Sequence, residues 1–277
     1  MHKVKYSFFD IIKYLSLVLG SFVALLPLVV VLFASFKTPE EYASTSPLTP
    51  PQNWLNFVNY QRAFLEGNML RGFLNTLFIL AVSITGTILL GTMVAYILNR
   101  FEFMGKKLIF TSFLFATLIP GVTTQVATFK IINTLGLFNT RAAAILLYLG
   151  TDIIAVYIFI QFLSAIPVSL DESAMLDGAS YLTIFSRIIF PLMKPAIAIV
   201  LIIKGIGIYN DFYTPFLYMP KSELHVISTA LFKFKGPYGS QWEVICAGVI
   251  LAIFPTLIAF LSLQKYFYNG FVQGSVK

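Results

Sequence analysis

Long apolar stretches separated by short polar ones dominate the chain. Runs at 14–36, 72–98, 108–132, 143–166, 195–219 and 244–264 are each twenty residues or longer. An α-helix needs about 20 residues to cross a hydrocarbon core about 30 Å thick. The pattern predicts an all-α polytopic membrane protein with six transmembrane helices. Residues 1–13 precede the first span, 37–71 form a long polar connector rich in proline, 72–264 form the core, and 265–277 make a short tail. A second polar connector, 220–243, carries Gly236-Pro237 and Trp242. Gly86 and Gly91 in the second run let neighbouring helices approach closely. Pro120-Gly121 interrupts the third run and predicts either a kink or a break lining a cavity, the settings in which broken helices are tolerated at membrane depth.

The polar segment 167–191, between the fourth and fifth runs, is more structured than a connector requires. Ser169 and Glu172 stand at capping-box spacing, so a helix starts there with its first amides satisfied by those side chains. Asp177-Gly178 is a turn signal, because glycine takes positive φ without steric cost. Ser180 can cap a second short helix running toward Pro191. These signals predict a helix-turn-helix finger at the membrane surface, acidic at its tip, which reads as a docking element.

Charge and chemistry narrow the classes. The chain is 58% hydrophobic and 11% charged, with a mean hydropathy of +0.83, against about 25% charged residues in soluble domains. The net charge of +7 is scattered over loops rather than drawn into a stripe, which fits membrane lipid as the contact surface and argues against nucleic acid. Cys246 has no partner for an internal disulfide, and His2 and His225 are too few and too far apart for a metal site or a histidine-based catalytic set. Neither a Gly-x-x-x-x-Gly-Lys-Ser/Thr phosphate loop nor a Gly-x-Ser-x-Gly elbow occurs, so the chain is not expected to be an enzyme or to hydrolyse ATP itself. The first run is longer than a signal-peptide core and lacks a small-residue cleavage site, so it reads as a retained span. Lys3, Lys5 and Lys13 before that span, and the Arg100–Lys107 loop, favour a cytoplasmic N-terminus. An even number of spans then puts both termini in the cytoplasm and the 37–71 connector outside, where Trp54 and Tyr60 are interfacial anchors or part of a partner surface.

Polar residues inside the apolar runs are the candidates for a transport path. A carboxylate such as Asp152 at membrane depth costs several kcal/mol unless it faces water or a partner, so it lines a path or bonds to a neighbouring helix. Lys204 and Asp211, seven residues apart, lie about 10 Å apart along a helix; they are no adjacent ion pair, though both can face one cavity. Tyr209, Asn210, Asp211 and Tyr213 combine rings, which cover C–H faces, with groups that pair hydroxyls, a mixture suited to a polyhydroxylated ligand. Their alternative role is polar glue between packed helices.

The spacing Glu172-Ser173-Ala174, Gly178, Ile188, Pro191 resembles the cytoplasmic EAA loop of ATP-binding-cassette (ABC) importer permeases: Glu-Ala-Ala, three residues, Gly, nine residues, Ile-x-Leu-Pro. Ser173 stands for the first Ala and Phe190 for the Leu. Ala95-Tyr96 through Arg100-Phe101, Phe103 and Gly105-Lys106 are similar to the end of the second span in carbohydrate permeases. Asn210-Asp211-Phe212 with Pro215 is similar to their fifth span, and Gln264-Lys265-Tyr266-Phe267 with Gly270 and Gly274-Ser275-Val276-Lys277 to their usual ending. Together these resemble the carbohydrate-uptake (CUT1), maltose-permease-G-like family, within it the multiple-sugar or raffinose type. The resemblance implies a type I ABC importer (MetI-like) fold of six spans with a coupling helix-turn-helix, in a bacterial cytoplasmic membrane, importing an oligosaccharide. It implies as partners a second related permease, an ABC ATPase dimer and an extracellular sugar-binding protein. Asp171, Glu172, Ser173, Ala174, Asp177 and Gly178 would meet the ATPase. Asp152, Tyr209, Asn210, Asp211 and Tyr213 would lie on the substrate path. ATP and Mg would belong to the ATPase, with no cofactor in this chain.

Other readings stay open at this stage. An ABC permease for a non-sugar solute keeps the finger and changes the cargo. An ion-coupled secondary transporter would use Asp152, Lys204 and Asp211 as its ion path, yet no inverted repeat is apparent. An intramembrane hydrolase would need paired catalytic residues, and Asp152 and Asp211 lack flanking motifs.

Overall fold

The computed structural model describes residues 8–149, 152–236 and 239–273, which are mainly helical. In chain order they form α1 (Phe8–Phe36), α2 (Pro39–Ser44), α3 (Val58–Glu66), α4 (Met69–Arg100), α5 (Lys106–Leu118), α6 (Gly121–Thr134), α7 (Arg141–Leu149) and α8 (Ile153–Ser164). There follow α9 (Ser169–Leu176), α10 (Tyr181–Ile184), α11 (Phe190–Leu192), α12 (Lys194–Asn210), α13 (Tyr213–Tyr218), α14 (Ile227–Ala230) and α15 (Trp242–Gln273). A π-helical turn, Phe185–Ile189, joins α10 to α11. Among the described residues the strands are two short ones, β1 (Lys235–Gly236) and β2 (Gly239–Ser240), antiparallel with Lys235 opposite Ser240. The Gly236-Pro237 turn and the basic start at Lys3 and Lys5 fall on or beside residues outside the described set, as does Gly274–Lys277.

Two helices, Ile12–Phe36 and Met69–Arg100, are long and apolar enough to cross a membrane unaided. Three bent pairs, α5 with α6, α7 with α8, and the Tyr181–Leu192 segment with α12, raise the number of such segments among the described residues to five. Several uniform rods expected from hydropathy are therefore broken. Pro120 ends the third run in a 105° bend between α5 and α6, far sharper than a kink. The fifth run stops at Asp211, because that residue turns the chain into α13. At the C-terminal end the expected tail is not a separate segment: α15 continues through it to Gln273.

The described residues cluster into two compact units, 8–70 with 230–259 and 71–229 with 260–273. In the first, the long polar connector is fastened to the end of α1. Trp54 packs edge-on against Phe33, with ring centres 5.5 Å apart, and Phe36 meets Phe57 and Tyr60. Asn59 Nδ2 donates to the carbonyls of Ser35 and Lys37 at 3.0 and 2.8 Å, so it satisfies two orphan acceptors at that helix end. Lys37 is buried, its Nζ donating to Thr45 Oγ1 and to the Ser46 carbonyl. Trp54 and Tyr60 thus bind the connector to this chain's own helix.

In the second unit, α4 is the central rod. Phe159, Leu163, Ile184, Ile189 and Met193 are fully buried around it. Gly91 admits this packing: a Cβ there would stand 3.0 Å from Phe159 Cε2. At Gly86 an added Cβ would collide with the Leu149 side chain. Both glycines therefore allow close approach, as their positions predict.

Candidate functional site

Residues 169–184 form two short helices about a turn, with a start other than the expected one. The helix begins at Ser169, but no side chain caps it; the N-cap position is Val168. Amides of Leu170, Asp171 and Glu172 donate instead to the carbonyls of Pro167 and Val168, since the turn after Pro167 already presents those acceptors. This corrects the capping-box reading of Ser169 and Glu172. The turn is as expected: Gly178 has φ +80°, and its N–H donates to Met175 O while Ala179 N–H donates to Ala174 O. Ser180 caps the second arm, its Oγ accepting from Thr183 N–H at 3.3 Å.

The predicted contact residues divide into two groups. Glu172, Ser173, Asp177 and Gly178 are exposed. Asp171 and Ala174 face inward, and Asp171 is only 2% exposed. Its Oδ2 lies 2.6 Å from Nε of Arg100, the last residue of α4, whose side chain is also buried. Neither Asp171 oxygen has an aligned hydrogen-bond partner among the described residues, so the contact is ionic. Removing one member of a buried pair costs roughly 3–5 kcal/mol, because the other charge is left in the interior. Ala174 belongs to the apolar core of this unit, where a small side chain fits. Two residues not singled out from the sequence complete the outward face: Leu176 and Leu182, 90% and 70% exposed, flank the Gly178 turn. Apolar side chains beside acids at a tight turn suit a protein partner.

A second polar site lies within the apolar helices. Asp152 caps α8, its Oδ1 accepting from Ala155 N–H at 3.1 Å, while its Oδ2 lies 2.8 Å from Lys204 Nζ on α12. Asp211 closes α12. Its Oδ1 accepts from the amides of Tyr213 and Thr214 at 2.8 and 3.1 Å, and its Oδ2 from the Tyr148 hydroxyl at 2.8 Å. Asp152, Lys204, Tyr148 and Asp211 line one partly open cavity of about 290 Å³, whose remaining walls are mainly apolar. Lys204 and Asp211 do share a cavity, as expected, and Asp152 is the interhelically bonded acid. Sequence spacing pointed to neither partner, Lys204 for Asp152 or Tyr148 for Asp211, because both contacts join separate helices. Tyr209 is half-buried outside this lining, while Asn210 and Tyr213 are exposed. Asn210 spends its Nδ2 on the Ile206 carbonyl of its own helix at 3.0 Å. The rings of Phe212 and Phe216 stack beside them, 5.1 Å between centres.

Residues 63–272 match the family described as "Binding-protein-dependent transport system inner membrane component". Over 91% of both chains, this sequence is 30% identical to the melibiose/raffinose/stachyose import permease protein MelC of Bacillus subtilis (strain 168). It is 32% identical, over 96% of this chain and 97% of the other, to the probable starch degradation products transport system permease protein AmyC of Thermoanaerobacterium thermosulfurigenes. The fold is similar to a chain in the crystal structure of a bacterial ABC transporter involved in the import of the acidic polysaccharide alginate. That likeness has a TM-score of 0.84 at 19% identity and covers 96% of this chain and 99% of that one.

Proposed function

The chain belongs to the family of binding-protein-dependent transport system inner membrane components, and from that premise we propose that it is one permease subunit of an ATP-driven oligosaccharide importer. As a membrane permease it performs no chemistry of its own; hydrolysis belongs to a separate subunit. Relatives named for melibiose, raffinose and starch-derived sugars support the cargo class. The observation that carries the coupling role is the outward face of the finger, where Glu172, Asp177, Leu176 and Leu182 surround the exposed Gly178 turn. An ATPase cleft that accepts this face would move the finger as the nucleotide sites close, and the helices would follow between inward- and outward-open states.

In this reading the five apolar segments and α15 make six spans, with the finger and both termini in the cytoplasm and the 37–71 connector outside. The partners are a second related permease, an ATPase dimer holding ATP and Mg, and an extracellular sugar-binding protein. Asp152, Lys204 and Asp211 present two carboxylates and one ammonium to the cavity; Tyr209, Asn210 and Tyr213, next to Asp211 in the chain, are the proposed sugar-facing residues of the path.

The test is uptake by the complete complex in proteoliposomes, with melibiose and raffinose as cargo. Uptake that requires ATP and the binding protein supports the assignment. Uptake that persists without ATP and follows an imposed proton gradient overturns it in favour of an ion-coupled transporter.

A further inference from the structure

We propose that Arg100 and Asp171 form a joint that makes the finger and the end of α4 move as one body, so that displacement of the finger reaches the central rod without loss. The inference rests on the coupling role proposed for the finger and assigns two positioning residues to it. Asp171 is on the first arm of the finger and Arg100 is the last residue of α4, and both side chains are buried where they meet. Arg100 does more than neutralise the acid. Its Nη2 donates to the Ile166 carbonyl at 2.9 Å, at the root of the finger, and its neighbour Asn99 donates to Ser164 Oγ at 2.9 Å. The guanidinium therefore grips the finger's root and its first arm at once, which its planar fork of donors permits and a lysine could not reproduce.

The second arm is held to the same end of α4 by rings. Phe101 meets Tyr181 edge-on at 5.1 Å, and Tyr96 meets Phe185 at 5.4 Å and Phe101 at 5.8 Å. Each arm alone could pivot about its own attachment. Two attachments on opposite sides of the Gly178 turn remove that freedom. Since Asp171 has no aligned hydrogen bond, its charge is held by Arg100, and neutralising either residue opens one of the two attachments.

The experiment uses the complete complex with Cys246 replaced by serine and spin labels at Leu170→Cys on the first arm of the finger and Leu90→Cys on the exposed face of α4. Distances are measured nucleotide-free and with ADP and vanadate, beside the ratio of binding-protein-stimulated to basal ATPase. With Arg100 and Asp171 intact, one narrow distance peak should persist in both states. Asp171→Asn should at least double the peak width and lower the stimulation ratio about tenfold, the loss expected when a transmitting contact goes. Arg100→Lys keeps the charge but not the fork, should give an intermediate width, and serves if Asp171→Asn does not assemble. An unchanged width in an assembled variant overturns the joint, even if stimulation is lost and the coupling role of the finger stands. A widened peak with full stimulation overturns the transmission role of the pair and leaves coupling to the second arm's ring contacts.

Discussion

Lys204 Nζ lies 2.8 Å from Asp152 Oδ2, across two helices of the same unit and about four-fifths buried on both sides. Each charge answers the other in a wall that is otherwise apolar apart from Tyr148 and Asp211. Replacing Lys204 with Met, or Asp152 with Asn, removes half of that balance. Each single change should cost about 2 kcal/mol, somewhat below a fully enclosed pair because the cavity is partly open. The double variant should recover most of the loss. Thermal unfolding of the purified complex measures all three, and additive losses in the double variant would show that the two residues are not coupled.

Gly178 separates the demands of the turn from those of the proposed ATPase contact. Its φ of +80° disfavours ordinary side chains, yet a Cβ built there meets nothing within 4 Å in this chain. Asparagine tolerates that conformation and should leave the turn intact, whereas leucine adds about 1–2 kcal/mol of local strain. Gly178→Leu should abolish most uptake, by about tenfold or more, and Gly178→Asn should reduce it about threefold by crowding the docked partner. Melting temperatures should stay within a few degrees of the parent. Full uptake with Gly178→Leu would rule out a closely docked turn.

Positions where one residue determines the local conformation were legible in the sequence. Gly178, Ser180 and the Pro120-Gly121 break each announce a backbone event, and each is where it was expected, although the bend at 105° is sharper. Roles that depend on residues far apart in the chain were not legible. Asp171 looked like part of an acidic tip because Glu172 and Asp177 follow it; that it turns inward follows from Arg100, 71 positions earlier. Asp152 and Asp211 were recognised as anomalous acids, but not as the cap of one helix and the corner between two others. Hydropathy averaged over a run is blind to the break that divides α12 from α13, because the polar pair Asn210-Asp211 is outweighed by the apolar residues on both sides.

The connector after α1 offers a prediction far from the cavity. Asn59 is buried, and its amide serves the Ser35 and Lys37 carbonyls together. Asn59→Ala leaves two acceptors without donors and should cost about 2–3 kcal/mol. Hydrogen exchange should quicken in the last turn of α1 and in α3, with no change in the finger. If protection at residues 34–37 is unaffected, the amide is not what holds the connector down.

Asp211 distinguishes a structural acid from a working one. Three groups donate to its two oxygens: the amides of Tyr213 and Thr214 and the hydroxyl of Tyr148. Its own carbonyl also accepts from Ser228 Oγ at 2.7 Å. The two amides brace the corner between α12 and α13, the Tyr148 hydroxyl ties that corner to α7, and little of this needs a full charge. Asparagine keeps one oxygen for the two amides, and the Tyr148 hydroxyl can turn to accept from the new amide group. Asp211→Asn should therefore retain uptake within about threefold, while Asp211→Ala, which leaves three donors unanswered, should lose about 2–4 kcal/mol of stability and most activity. An ion-coupled mechanism demands equal loss from both variants, because there the ionised carboxylate itself carries the cycle and its neutral isostere fails as completely as alanine. Uptake by the two variants, normalised to assembled complex, therefore decides between a corner post and an ion site.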